Sequence, residues 1–307
     1  MTTSSATTTA AVPTSALTAT EAELRSQPET WRRALEVLPE VSGRLPRPDE
    51  RVLVVGCGTS WFMAMAYAAL REAAGHGVTD AVTATEVSPA REYDRIVALS
   101  RSGTTTEITA LLRATSTPSV LITAVGEGPA AAEASSEIVL DFADETSVVQ
   151  TRFATTALVL LRASLGEDLS AAIADAEQVL SSEPADELVT AEQVTFLGTG
   201  WTKGLADEAA LKMREATQSW TEAYYAMEYR HGPIAIAEPG RVVHVFGDAP
   251  DGLQDQVAAT GADWVASEAD PLAQLVAVHL WAVRRAALRG MDPDSPRHLT
   301  RAVHLEP

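Results

Sequence analysis

Residues 99–107 read LSRSGTTTE, so five hydroxyl side chains (Ser100, Ser102, Thr104, Thr105 and Thr106) and the guanidinium of Arg101 gather around Gly103. The group follows the apolar run Ile96–Leu99 directly and precedes Glu107–Ala114, which reads as a helix. A buried strand that empties through small polar residues into a helix collects free N–H groups, a partial charge of about +0.5 and hydroxyl donors around one point. That chemistry suits an anion, and phosphate above all. Helix starts commonly carry one Ser or Thr as a cap, which accounts for one or two of the five hydroxyls and not for the cluster. A second strand-to-helix turn, GCGTSW at 56–61, places Cys57, Thr59 and Ser60 at another helix N-terminus beside it. This is not a dinucleotide turn: Trp61 stands where a third small residue is needed, and no acidic residue ends a strand about 20 residues on.

Proton chemistry has its candidates elsewhere, in DEAALKMREATQSWTEAYYAMEYRHGP at 207–233. Glu208, Lys212 and Glu215 stand at i, i+4 and i+7, on one face of a helix. Such spacing usually marks a solvated ion-pair ladder. Here Ala209, Ala210, Leu211, Met213 and Ala216 leave no broad polar side for solvent. His231, ahead of Gly232-Pro233, ends the next segment and is placed to face the same space, although a lone histidine is more often structural or exposed.

The elements that position these residues alternate. Helix is expected over Glu21–Leu38 with a break at Gln27-Pro28, then strand 51–55, helix 60–74, strand 95–99, helix 105–115, strand 119–124, helix 129–136, strand 137–141 and helix 155–165. This order implies a parallel sheet covered by helices. It then restarts: VLVVGCGTSWFMAMAYAALREA at 52–73 has a partner in VTFLGTGWTKGLADEAALKMREA at 194–216, with Gly56 and Gly198 142 positions apart. Two similar α/β halves are expected, joined through the polar stretch 180–191. The second half has VVHVFGDAPDG at 242–252 where the first has its hydroxyl cluster, so one half alone carries the anion loop.

Bulk properties exclude several classes. The chain has 307 residues and a net charge of −19, against a nucleic-acid partner, which requires a basic face. Its one cysteine, Cys57, excludes an internal disulfide framework and fits a reducing, cytoplasmic setting. No apolar stretch is long enough to span a membrane. Residues 1–20, rich in Thr, Ala and Ser, read as a disordered tail. His231, His244 and His279 lack ligand-spaced partners, so neither a metal nor another cofactor is expected.

Taken together, the motifs resemble the sugar isomerase (SIS) family, in particular tandem-SIS proteins such as the isomerase portion of glucosamine-6-phosphate synthase and stand-alone phosphosugar isomerases. The resemblance rests on ELRSQPETW, GCGTSW, LSRSGTTTE, ETSVVQTRFATTALVLL, LADEAALKMRE, TEAYYAMEYRHGP and SPRHLTRAV, in family order from about residue 21 to the end. It implies two flavodoxin-like SIS halves, each a parallel sheet covered by helices on both faces, divided at 21–182 and 183–307. It implies a sugar phosphate held by Ser60, Ser100, Arg101, Ser102 and Thr105, with Cys57 and Thr59 close by. It further implies that Glu215 moves a proton between C1 and C2 of the open-chain sugar, that Glu208 organises the site and that Lys212 stays near the substrate. His231 would open the sugar ring from a neighbouring subunit, which makes the protein a homodimer.

The departures from the family bear on the reaction. No glutaminase domain precedes the isomerase-like part, so use of glutamine is not expected. Arg301 in HLTRAV stands where the synthase has an imine-forming lysine, and arginine is a poor imine former. Lys203 and Lys212 are the only lysines. Arg101 replaces a glutamine in the phosphate loop and brings a cation near any N-acyl or carboxyl group. The expected activity is C2 proton abstraction on a ring-opened hexosamine 6-phosphate, giving isomerisation with or without loss of ammonia. Two alternatives stand beside it: a dehydratase acting on N-acetylglucosamine 6-phosphate, and a phosphosugar sensor without turnover.

Overall fold

A computed structural model describes residues 17–303 and 305. Most of the expected tail lies outside the described residues, but its end does not: α1 begins at Ala19, with the Thr18 hydroxyl capping Glu21 N–H. Helices α1 (Ala19–Arg25) and α2 (Gln27–Val41) meet at Ser26, and Pro28 opens the second, where its missing N–H costs nothing.

The first sheet contains β1 (Val52–Gly56), β2 (Thr79–Thr83), β3 (Arg95–Leu99), β4 (Ser119–Thr123) and β5 (Ser136–Val139). Between them run α3 (Thr59–Ala73), α4 (Thr106–Ala114) and α5 (Pro129–Glu133). All pairings are parallel, in the order β2-β1-β3-β4-β5. This is the flavodoxin-like order, in which the direction of winding reverses between β1 and β3. Strand β2 was not legible beforehand, because it is a half-buried edge strand without a continuous apolar run.

After α6 (Arg152–Ser164), α7 (Ser170–Leu180) and α8 (Asp186–Thr190) comes the second sheet. It consists of β6 (Gln193–Gly198), β7 (Trp220–Tyr225), β8 (Arg241–Val245) and β9 (Asp263–Val265), interleaved with α9 (Thr202–Thr217) and α10 (Leu253–Ala258) and followed by α11 (Pro271–Leu288). Its order, β7-β6-β8-β9, repeats the first with one strand fewer. The strand-to-helix turns after β1 and β6 are also alike in one detail. A Cβ on Gly56 would lie 2.5 Å from the Ser60 carbonyl carbon, and one on Gly198 would lie 2.4 Å from the Thr202 carbonyl oxygen. In both halves only glycine lets the helix start against the strand end.

The two sheets share one core. A continuous apolar cluster runs from Trp31 and Val54 through Leu158 and Leu205 to Phe196, Leu272 and Trp281, so neither half closes its interior alone. Among the described residues no helix is long and apolar enough to cross a membrane.

Candidate functional site

The reversal between β1 and β3 leaves a crevice at the carboxyl ends of those strands, the position where open α/β sheets take ligands. The residues after β1 and after β3 line a cleft of about 200 Å³ there. Cys57, Thr59, Ser60, Ser100, Arg101, Ser102, Thr105, Glu215 and Arg301 all border it. Neither α3 nor α4 has a side-chain cap on its first turn. At α3, Ser60 N and Trp61 N donate back to Cys57 O (3.2 Å) and Gly58 O (3.0 Å), and both helix N-termini lie at the cleft with their partial positive charge. Ser100 Oγ lies 3.1 Å from Thr105 Oγ1. Ser102 Oγ accepts from Thr104 N (3.2 Å) and Thr104 Oγ1 (2.9 Å), which leaves its own proton to donate. The Cys57 thiol is pushed up by burial and by Glu107 nearby, which disfavours the nucleophilic thiolate.

The two arginines are placed differently from expectation. Arg101 is buried, with Nη1 donating to Ser147 O (3.0 Å) and Nη2 to Arg301 O (2.7 Å), and Nη1 lies 3.7 Å from the buried carboxylate of Glu145. Its guanidinium therefore fastens the 145–149 loop and the C-terminal segment over the cleft. Arg301 contributes its backbone; its side chain bonds Glu145 O (3.0 Å) and pairs with Asp144. Both border the cleft as braces, because each charge already has a carboxylate.

Helix α9 brings the second half to this cleft. It crosses α3 at Gly204, where a Cβ would lie 2.4 Å from Phe62 O. With α3, α11, β6 and β7 around it, α9 is buried on almost every side, and Glu208 and Lys212 go with it. Lys212 Nζ lies 3.5 Å from Glu208 and bonds to Glu215, whose side chain is 19% exposed and reaches the cleft. Burial pushes the Glu208 carboxyl up to about 8, so at neutral pH it largely holds a proton. The Lys212 ammonium is pushed up as well, the Glu208 and Glu215 side chains beside it outweighing its desolvation. A buried arrangement of this kind contributes little net stability.

His231 does not join the cleft within this chain. It is exposed, at the end of a short turn over Glu228–His231 that follows β7. Sequence reasoning assigned no role to Glu107 and Gln150, which also line the cleft. Each carries a buried oxygen without a hydrogen-bond partner among the described residues. Nor did it assign one to Glu23, whose carboxylate accepts from Ser147 N (3.2 Å) and holds the 145–150 loop in place. The signal available was the polar cluster ETSVVQ ahead of a long helix.

A family model described as SIS domain matches residues 47–165. The glutamine–fructose-6-phosphate aminotransferase (isomerizing) of Sulfurisphaera tokodaii is 27% identical over 296 residues, covering 84% of this chain and 50% of its own length. That of Bacillus subtilis is 25% identical, covering 92% and 58%. The chain spans about half the length of the curated relatives it matches. Among solved structures, the glucosamine-6-phosphate deaminase of Thermotoga maritima superposes with a TM-score of 0.80 at 25% identity, covering 94% of this chain and all (100%) of that one. The tagatose-6-phosphate ketose/aldose isomerase of Escherichia coli has a TM-score of 0.75 at 21% identity, covering 94% and 97%, and shows the shared fold. The motif-bearing strand-to-helix turns that build the cleft fall inside the segment, residues 47–165, that matches the SIS-domain model.

Proposed function

We propose that the protein is a phosphosugar-processing enzyme that removes the C2 proton of a ring-opened hexosamine 6-phosphate, giving aldose–ketose isomerisation with loss of the amine as ammonia where C2 carries one. The observation that carries this reading is one cleft with phosphate-type donors on one wall and, on the other, Glu215 held by a charged lysine beside a proton-bearing Glu208. The relatives support the substrate class, since their names describe enzymes of fructose 6-phosphate, glucosamine 6-phosphate and tagatose 6-phosphate.

In this reading the hydroxyls of Ser60, Ser100, Ser102 and Thr105 and the two helix N-termini hold the phosphate. The Glu215 carboxylate takes the C2 proton, and the C1 carbonyl oxygen gains a proton as the C1–C2 double bond forms. Lys212 and Glu208 supply the positive charge and the proton near that oxygen. Return of the proton from Glu215 to C1, with the C2 hydroxyl or amine giving up a proton to the group that protonated the C1 oxygen as its double bond to C2 forms, completes the isomerisation. With an amine on C2 the product is a C2 imine, and water hydrolyses it to the ketose and ammonia. His231 is exposed beside the exposed side chains of Tyr225 and Met227, which suits a role across a homodimer interface at the ring oxygen of the partner's substrate.

The test is exchange in deuterated water over a panel of hexose and hexosamine 6-phosphates, followed by NMR. Wild type exchanges label at C2 or consumes one sugar, while Glu215→Gln loses that activity by at least about 10²-fold and still binds phosphate. Equal exchange by Glu215→Gln moves the base elsewhere. A wild type inert toward the whole panel favours the sensor.

A further inference from the structure

A second cavity, of about 330 Å³, lies away from this cleft, between α7, α8 and α11 and the strands β8 and β9 of the second sheet. Its walls are mainly apolar, with Val179, Leu188, Val265, Val278 and Leu280 among them. Three other side chains that line it, His244, Gln274 and Trp281, are each at least nine-tenths buried. All three carry a buried polar atom with no hydrogen-bond partner among the described residues: His244 Nδ1, Gln274 Oε1 and Trp281 Nε1. Buried polar groups are ordinarily paired, and three orphans on one cavity require an explanation.

The amide of Gln274 is fixed in orientation, because Nε2 donates to Ser267 O (3.0 Å) and Ala269 O (2.8 Å). Its Oε1 is thus an acceptor in want of an N–H. Trp281 Nε1 is a donor in want of a carbonyl. Besides His244, the ionisable groups on the wall are Asp175 and Glu183, both acidic, so the cavity disfavours anions. His244 is neutral, since burial pushes it down to about 4. An apolar cavity of this size with a few convergent polar groups is the common form of a small-molecule site. The indole and imidazole rings on its wall suit a flat occupant.

We propose that this cavity binds an uncharged, flat molecule with a carbonyl and an N–H on one edge, of the aromatic amide or lactam class, the carbonyl received by Trp281 and the N–H by Gln274. The site is separate from the sugar-phosphate reading and stands or falls without it. Helix α11, which carries Gln274 and Trp281 on this side, packs against α9 on another, so an occupant here would brace the helix that bears Glu208 and Lys212.

The probe is benzamide, titrated into the full chain labelled at its indole nitrogens, with the Trp281 signal assigned through Trp281→Phe. The Trp281 N–H resonance shifts and saturates with benzamide, and benzoate, charged and lacking the N–H, binds at least tenfold more weakly. Ala277→Trp, which fills the cavity, weakens benzamide at least tenfold. Should that variant not fold, Gln274→Leu keeps the volume, removes the acceptor and is expected to weaken binding to the same extent. No shift up to the solubility limit of benzamide, an equal response to benzoate, or full binding by the folded variant overturns the proposal.

Discussion

Ser102 illustrates how much of the cleft depends on single donors. Its Oγ already accepts twice from Thr104, so its one proton remains available to donate to an anion. Ser102→Ala is expected to weaken sugar-phosphate binding by about 1.5–3 kcal/mol, roughly ten- to a hundredfold in Kd, with the fold intact. Calorimetry with unchanged affinity would refute the assignment. Glu208 makes a different kind of statement, about pH. Its carboxyl rises from an ordinary 4.5 to about 8 through burial, so within that window the folded chain keeps a proton that the unfolded chain has released. Stability contributed by the buried acid is complete below the unfolded value and is lost as pH rises toward the folded one. Glu208→Gln cannot titrate, and its stability relative to wild type should therefore climb between pH 5 and pH 8. Urea unfolding at both ends of that range decides it, a constant gap being the adverse result.

At the scale of elements, the site exists because α9 is pressed against α3. The contact is set by Gly204, which has no side chain to hold the helices apart and would place a Cβ against the backbone oxygen of Phe62. Alanine is the better helix former by up to about 1 kcal/mol, yet a backbone neighbour cannot rotate away. Gly204→Ala is expected to cost about 1–3 kcal/mol of stability through overpacking. It should also lower kcat by shifting Glu215 relative to the phosphate loop. Denaturant midpoints and steady-state kinetics measured together test both parts, and a stabilised, fully active variant would show that the crossing has slack. The same packing explains why a Glu–Lys spacing that normally lies in solvent is buried here: sheet, α3 and α11 leave α9 no free side.

For the whole molecule, the two sheets behave as one body around one core, and the catalytic candidates are distributed between them. The proposed dimer extends that distribution to a second chain. If His231 serves the partner's cleft, His231→Ala and Glu215→Gln are each inactive for a different reason and should complement one another. A mixture of the two, dissociated and reassociated, is expected to regain activity that neither variant shows alone. Mixtures that stay inactive while forming dimers would place His231 outside the reaction.

What the sequence determined by itself was local and periodic. Apolar runs located β1, β3, β4 and β6, and the hydroxyl cluster at 100–106 marked the turn after β3 as the candidate anion loop, because strand-to-helix turns are built from adjacent residues. The spacing of Glu208, Lys212 and Glu215 placed them on one face, since helical geometry depends on nothing distant. Edge strand β2, short β9 and helices α7 and α11 lacked such signals, as half-buried or amphipathic segments take their form from what packs on them. Tertiary structure alone decided where charges go. Arg101 and Arg301 looked free in the sequence and are spent on Glu145, Asp144 and backbone carbonyls. Lys212, whose spacing alone would suit a solvated ladder, is buried between the side chains of Glu208 and Glu215. A charge is defined by its partners and its access to water, and both come from residues far away along the chain.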